Sequence, residues 1–373
     1  MMRPESEAEL AEAIAAAKGP LCIAGGGTHG LALAGDTLST GGISGVELYE
    51  PGALTLVVKA GTPLAQVEAL LNGENQRLAF EPRDYRGLLG TKGVPTIGGV
   101  IASNNSGPRR MQAGAARDHL LGVRFVDGSG QVVKNGGRVM KNVTGYDLVK
   151  LMCGAHGTLG VLSEVSLKVL PKPECSGTLI WHGLDWTAAL KVFCEAMKSP
   201  YDITGAAGLP GAEGKASQTY IRVEGFEESV KYRLGQLQQL IADRSPDETT
   251  MDEAQNQQIW RSVRDAEPFH STDGDLWRTS VKPTDMIRVT EAQGSQHMVD
   301  WGGGLIWSLV PKGVDFRQKL TGISGHATLV RASAETRAHL GVFHPQPAPL
   351  AALSQGLRRQ FDPRGILNPE LMG

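Results

Sequence analysis

Leu21-Cys22-Ile23-Ala24-Gly25-Gly26-Gly27-Thr28-His29-Gly30 is an apolar strand that runs straight into a glycine triple. Glycine belongs where a backbone takes positive φ or approaches another group closely. Successive amides in such a turn form a concavity suited to a phosphate. Three more glycine-rich stretches follow: Thr96-Ile97-Gly98-Gly99-Val100-Ile101-Ala102-Ser103-Asn104-Asn105-Ser106-Gly107, then Lys141-Asn142-Val143-Thr144-Gly145-Tyr146-Asp147, then Gly154-Ala155-His156-Gly157-Thr158-Leu159-Gly160-Val161. A tight strand-to-strand turn explains one such loop alone. Four together point to a large phosphate-bearing cofactor threaded between backbone segments. The Rossmann fingerprint G-x-G-x-x-G fits poorly, because these glycines are consecutive and Leu31-Ala32-Leu33-Ala34-Gly35-Asp36 is too short for the helix it requires. It stays a minor alternative.

Bulk properties narrow the class. At 373 residues the chain is long enough for two or three domains with a sizeable core. A net charge of −2 and 5% aromatic residues exclude a nucleic-acid groove or a basic membrane-binding surface. The acidic N-terminus, Met1-Met2-Arg3-Pro4-Glu5-Ser6-Glu7, lacks an apolar signal core, and no apolar run approaches the ~20 residues that span a bilayer. The expectation is a cytoplasmic protein. Cys22, Cys153, Cys175 and Cys194 stand alone, without the short repeats of a zinc or iron–sulfur site. Any iron–sulfur cluster that works with this chain belongs to a partner.

Periodicity predicts a helix over Glu5–Lys18 and a strand at residues 21–24. It predicts a buried strand at residues 54–58 and a helix capped by Thr62 that begins at Pro63. Residues 122–133 read as strand, Asp127-Gly128 turn, strand. Residues 162–170 alternate as a further strand, and Pro171-Lys172-Pro173 reads as a linker. All six tryptophans lie between residues 174 and 310, where helical patterns (187–198, 228–241) alternate with strands (219–223, 276–281, 304–310). That is the pattern of an α+β cap. Leu350, Leu353, Leu357 and Phe361 mark a closing amphipathic helix.

The ordered set of motifs resembles the flavin-binding domain of the vanillyl-alcohol oxidase / p-cresol methylhydroxylase (PCMH-type) family. Gly25-Gly26-Gly27-Thr28 is similar to its pyrophosphate loop, and Thr96-Ile97-Gly98-Gly99-Val100-Ile101-Ala102-Ser103-Asn104 to its second loop. Gly114-Ala115-Ala116-Arg117-Asp118-His119-Leu120-Leu121-Gly122 resembles its arginine–aspartate turn, and Gly157-Thr158-Leu159-Gly160-Val161-Leu162-Ser163-Glu164 its flavin-edge strand. Phe361-Asp362-Pro363-Arg364-Gly365-Ile366-Leu367-Asn368-Pro369 is similar to the ending of the 2-hydroxyacid-oxidising branch. Within that branch, Arg138-Val139-Met140-Lys141-Asn142-Val143-Thr144-Gly145-Tyr146-Asp147 resembles the FAD-binding subunits of glycolate oxidase.

The resemblance implies an α+β fold: a PCMH-type FAD-binding domain of two α/β subdomains over residues 1–172, an α+β cap over 173–330, and a C-terminal segment, 331–373, that returns to the flavin domain. It implies FAD contacts at Ala24, Gly25, Gly26, Gly27, Thr28, His29, Gly30, Thr96, Gly98, Gly99, Ala102, Ser103, Asn104, Gly107, Gly114, Asp118, Gly157, Thr158, Gly160, Val161 and Asn368. Asp118 and Asp147 are expected to orient loops rather than to react. Relatives that hold flavin covalently use a histidine directly after the paired glycines; here Thr28 takes that place and His29 lies one beyond, so the FAD is expected to be non-covalent. His326, His339 and His344 lack a metal-binding spacing, and no metal site is expected. Arg278 is the substrate-contact candidate, since a guanidinium suits a small carboxylate; a surface arginine on a half-exposed strand is the alternative.

The implied activity is oxidation of glycolate, a small 2-hydroxy acid, to glyoxylate, in a complex with a catalytic flavoprotein subunit and an iron–sulfur subunit. The alternatives are a non-catalytic FAD relay or structural subunit, or an independent 2-hydroxyacid dehydrogenase.

Overall fold

Leu21–Ala24 is a strand, paired in parallel with Asp36–Ser39. The structure, a computed structural model, describes residues 1–30, 34–138, 145–211, 214–291 and 294–371. Residues 139–144, the last four of them in the third glycine stretch, lie outside the described residues. The chain divides into two compact units. One comprises Met1–Ser106, Gly114–Lys172 and Pro345–Gly373; the other comprises Pro173–His344 and the short stretch Gly107–Ala113.

The first unit holds two α/β subdomains. In the smaller, the expected N-terminal helix spans Glu7–Ala16, shorter at both ends than its pattern: the Ser6 hydroxyl caps its start by accepting from the Glu9 amide, and Ala17 turns extended at its end. Leu10 and Ile14 are fully buried against Leu21, Leu38, Val161 and Leu367. Each such side chain stabilises the fold by about 1.5–3 kcal/mol.

The larger subdomain is a five-stranded antiparallel sheet in the order Val46–Glu50, Thr55–Lys59, Val161–Lys168, Leu120–Val126, Val132–Gly136. Its core joins Leu56, Val58, Phe125, Val165 and Leu167 to Leu64, Val67 and Leu71 of the helix Leu64–Gly73 and to Ile97 and Ile101 of the helix Ile97–Ala102.

Two local readings are corrected. Thr62 does not cap the helix that follows, because its hydroxyl donates to the Lys59 carbonyl at 2.7 Å; Pro63 takes the cap position instead. The Asp127-Gly128 turn is wider than two residues. The Asp127 carboxylate accepts from the amides of Ser129 and Gln131, and the positive φ falls on Gly130.

The second unit is an eight-stranded antiparallel sheet in the order Glu248–Thr250, Cys175–His182, Gln218–Gly225, Ile203–Leu209, Gln296–Asp300, Leu305–Val310, Asp275–Val281, Gly325–Arg331. Alternation places Leu179, Trp181, Ile221, Val223, Trp277 and Ile306 in one core with Val192 and Phe193 of the helix Trp186–Lys198 and Leu234 of the helix Glu227–Leu240. The Arg222 guanidinium lies 4.2 Å from the Trp260 ring, and Arg109 makes two 2.6 Å bonds to the Glu224 carboxylate, which fixes the stretch Gly107–Ala113 in this unit. The closing helix is Ala348–Phe361, and the leucines of its stripe are turned to solvent: Leu350, Leu353 and Leu357 are 53%, 67% and 43% exposed.

Candidate cofactor site

Past Ala24 the chain leaves its strand, and Gly25–Gly30 becomes one wall of a cleft in the first unit. The cleft encloses about 1230 Å³, part of it open to solvent. Gly27 has φ +70°, which turns the loop. Among the described residues, the five consecutive amides of Gly25 to His29 donate to no protein acceptor. Carbonyls fix the loop instead: Gly26 accepts from the Val94 amide at 3.0 Å and Thr28 from the Thr91 hydroxyl at 3.0 Å. The result is a run of amides held rigid from behind, an arrangement suited to a diphosphate.

The facing wall comes from the helix Ile97–Ala102. Thr96 caps it through the Gly99 amide at 3.3 Å, and the Gly98 amide donates to the Ala60 carbonyl at 2.8 Å. Those two amides are therefore committed to the fold, although both residues line the cleft. A third wall is the turn before the strand Val161–Lys168, with His156, Gly157, Gly160 and Val161. Asn368 closes it from the C-terminal segment, with its amide accepting from Ile23 N–H and donating to the His156 carbonyl, both at 2.8 Å. Ile23, Val100, Met152, Leu162 and Leu371 make part of the lining apolar, fit for a flat aromatic ring.

Of the residues read from sequence, Ala24, Gly25, Gly26, Gly27, Thr28, His29, Gly30, Thr96, Gly98, Gly99, Ala102, Ser103, Gly157, Gly160, Val161 and Asn368 are brought to this cleft. Five are not. Asn104 accepts from the Arg117 amide, and Asp118 accepts from the Ala115 amide across Gly114. The Thr158 hydroxyl donates to the Ala155 carbonyl. Gly107 belongs to the second unit, where its carbonyl accepts from the Trp301 indole. These are loop-shaping roles. Arg278 also lies in the second unit, half-buried on the strand Asp275–Val281, with its guanidinium 5.1 Å from the Trp301 ring; Arg110 stands 4.6 Å from the same ring.

Sequence reading missed Arg83, Tyr85 and His156. The first two sit in Phe80-Glu81-Pro82-Arg83-Asp84-Tyr85, which carries no periodic or glycine signal. His156 sits inside a quoted glycine motif, where its φ of +51° gave no warning. His29 packs on Tyr85 with ring centroids 4.7 Å apart. Burial lowers the pKa of His29 to about 4; burial and then the neighbouring His29 lower that of His156 to about 4. Both imidazoles are neutral near pH 7. Burial pushes the Cys153 thiol up to about 12, so it is inert there.

Residues 1–136 match a family described as an FAD binding domain. The chain is 35% identical to glycolate oxidase subunit GlcE of Escherichia coli (strain K12) over 95% of its own length and 93% of that protein. It is 41% identical to glycolate oxidase subunit GlcD of Bacillus subtilis (strain 168), over 23% of this chain and 18% of that one. Among solved structures it is similar to alkyldihydroxyacetonephosphate synthase, with a TM-score of 0.67 at 14% identity, covering 98% of this chain and 76% of that one. At that identity the likeness concerns the fold.

Proposed function

The chain belongs to the family of glycolate oxidase subunit GlcE, and from that premise we propose that it is the FAD-holding subunit of a glycolate oxidase complex, working with a catalytic flavoprotein subunit and an iron–sulfur subunit. It is an FAD-dependent oxidoreductase of the class that acts on 2-hydroxy acids. The observation that carries the site assignment is the run of five amides, Gly25 to His29, on a cleft without a lining carboxylate among the described residues. When bound, FAD supplies the acceptor for the hydride lost from the hydroxy acid's carbon.

The chain's own residues bind and orient. The amide run and the Thr28 hydroxyl hold the diphosphate, and Gly157, Gly160 and Val161 let the backbone approach the ring edges. Asn368 locks the wall that Ile23 and His156 share. With Thr28 directly after the glycines and His29 one residue beyond, its ring packed on Tyr85, the cofactor is held non-covalently. In the second unit, Arg278 and Arg110 beside Trp301 are suited to a small carboxylate.

The test compares the purified chain with the chain co-expressed with its two partner subunits. Glycolate-dependent reduction of an artificial dye should be negligible for the chain alone and restored in the complex, and acid precipitation should release FAD into the supernatant. Robust turnover by the isolated chain overturns the dependence on partners, and flavin retained in the acid pellet overturns the non-covalent assignment.

A further inference from the structure

We propose that the leucine stripe of the closing helix, Ala348–Phe361, is the surface on which this chain seats the iron–sulfur subunit, the partner that takes electrons from its cofactor. The inference rests on the reading of the chain as the FAD-holding subunit of a glycolate oxidase complex.

Leu350, Leu353 and Leu357 fall within about 60° of arc at 3.6 residues per turn, over a rise of about 10 Å. All three are turned to solvent, and no residue of the helix is buried. Helices in water owe most of their stability to a covered apolar face, and 14 residues without one are at the limit of what holds. The period sets Pro349 and Gln360 along one edge of the stripe and Ser354 along the other, so its borders are uncharged. That is the character of a permanent subunit contact, whose centre is depleted of charged side chains. A membrane-surface helix carries several cations on its polar face; here that face, Ala352, Gln355 and Arg359, has one. Two copies of the chain would pair along a single heptad, short of the three or four that a coiled coil needs.

Arg358 ties the stripe to the cofactor cleft. Its guanidinium donates to the carbonyls of Leu367, Asn368 and Leu371 at 2.8, 3.0 and 2.7 Å. Asn368 and Leu371 both line the cleft. At the helix end the Phe361 ring packs on Phe125, with centroids 6.1 Å apart. A partner seated on the leucines therefore sits beside the segment that closes the cleft. FAD that has taken a hydride is reoxidised by giving two electrons to the acceptor and one proton to water. Electron transfer falls steeply with distance, so the partner that must come this near is the one that carries the clusters.

The experiment co-expresses the tagged full chain with the iron–sulfur subunit and, separately, with the flavoprotein subunit, and measures the partner recovered per chain. Leu353→Asp should lower recovery of the iron–sulfur subunit by about 10- to 100-fold, the worth of one buried leucine. The double variant Leu350→Ser, Leu357→Ser should do the same. Ala352→Asp, on the opposite face, should retain the wild-type recovery, and the flavoprotein subunit should be retained by all of them. No buried residue is replaced, so flavin content and urea midpoint of each chain should match the wild type. Unchanged recovery of the iron–sulfur subunit with Leu353→Asp, or loss of the flavoprotein subunit instead, overturns the proposal. So does a wild-type chain that sediments alone as a dimer, or floats with phosphatidylethanolamine–phosphatidylglycerol vesicles, when Leu353→Asp does not. A wild-type chain that retains neither partner overturns the complex itself, and the proposal with it.

Discussion

Two imidazoles decide how the cleft responds to acid. His29 and His156 each titrate near 6.5 when solvated and near 4 in the folded chain. Between those values the unfolded chain binds more protons, so stability falls as pH drops. Above 6.5 neither ring contributes, and below about 4 the loss is complete. By pH 5 each ring should cost about 2 kcal/mol. Urea midpoints of the flavin-free chain at pH 7.5 and 5.0 measure this, and the double variant His29→Gln, His156→Gln should flatten the difference; an unchanged difference assigns the acid sensitivity elsewhere. At this scale the sequence was partly legible. Side chains whose role is local, such as the loop-orienting Asp118 and Asp147, follow from their own neighbours. The bond from the Arg117 amide to the Asn104 side chain was not legible, because it crosses a loop that no spacing rule connects.

The glycine triple shows how much of an element a motif conveys. Glycines 25 to 27 announce a loop, but they do not do the same work. A methyl at position 26 stands 1.5 Å from the Val94 carbonyl oxygen, so this residue is glycine because another stretch of backbone crosses it. At position 27 nothing lies within 4 Å, and only the φ of +70° favours glycine. Gly26→Ala should therefore destabilise the fold by about 3 kcal/mol or more. Gly27→Ala should cost about 1–2 kcal/mol in backbone strain, keep the fold and lower flavin content. Urea midpoints and flavin absorbance separate the two, and a Gly26→Ala protein as stable as wild type contradicts the close crossing. The helices and strands that were read from period fall within a few residues of the observed ones, because burial on one face imposes that period, whereas Cys175–His182, Ile203–Leu209 and the helix Glu253–Asp265 were not read. The stripe on Ala348–Phe361 marks the limit: its spacing gives a helix, yet Leu353 faces outward, and period alone does not say which side is covered.

In the whole molecule, one unit is assembled from three separated stretches of chain. The last of them supplies Leu367, fully buried with Leu21, and Asn368, bonded to Ile23 and His156. Arg364 adds bonds to the carbonyls of Ile14, Ala15, Ala17 and Gly128. A chain ending at His344 should therefore purify without flavin, as absorbance near the flavin band will show; full flavin content would contradict the role given to the tail. The return was expected from residue 331, whereas the first unit takes up the chain again only at Pro345; nor does anything in the sequence mark Gly107–Ala113 as part of the other unit, since an ion pair such as Arg109–Glu224 joins residues far apart in the chain. The discontinuity also sets an order of birth. Domains usually fold as they leave the ribosome, the N-terminal one first, at about 5–20 residues per second. Here the cofactor unit begins first and finishes last: after Lys172 has been made, translation must run on for roughly 10–40 s before Asn368 arrives. A nascent chain carries an open flavin cradle through that interval, and any polypeptide released by a stalled ribosome is left without the wall that closes it.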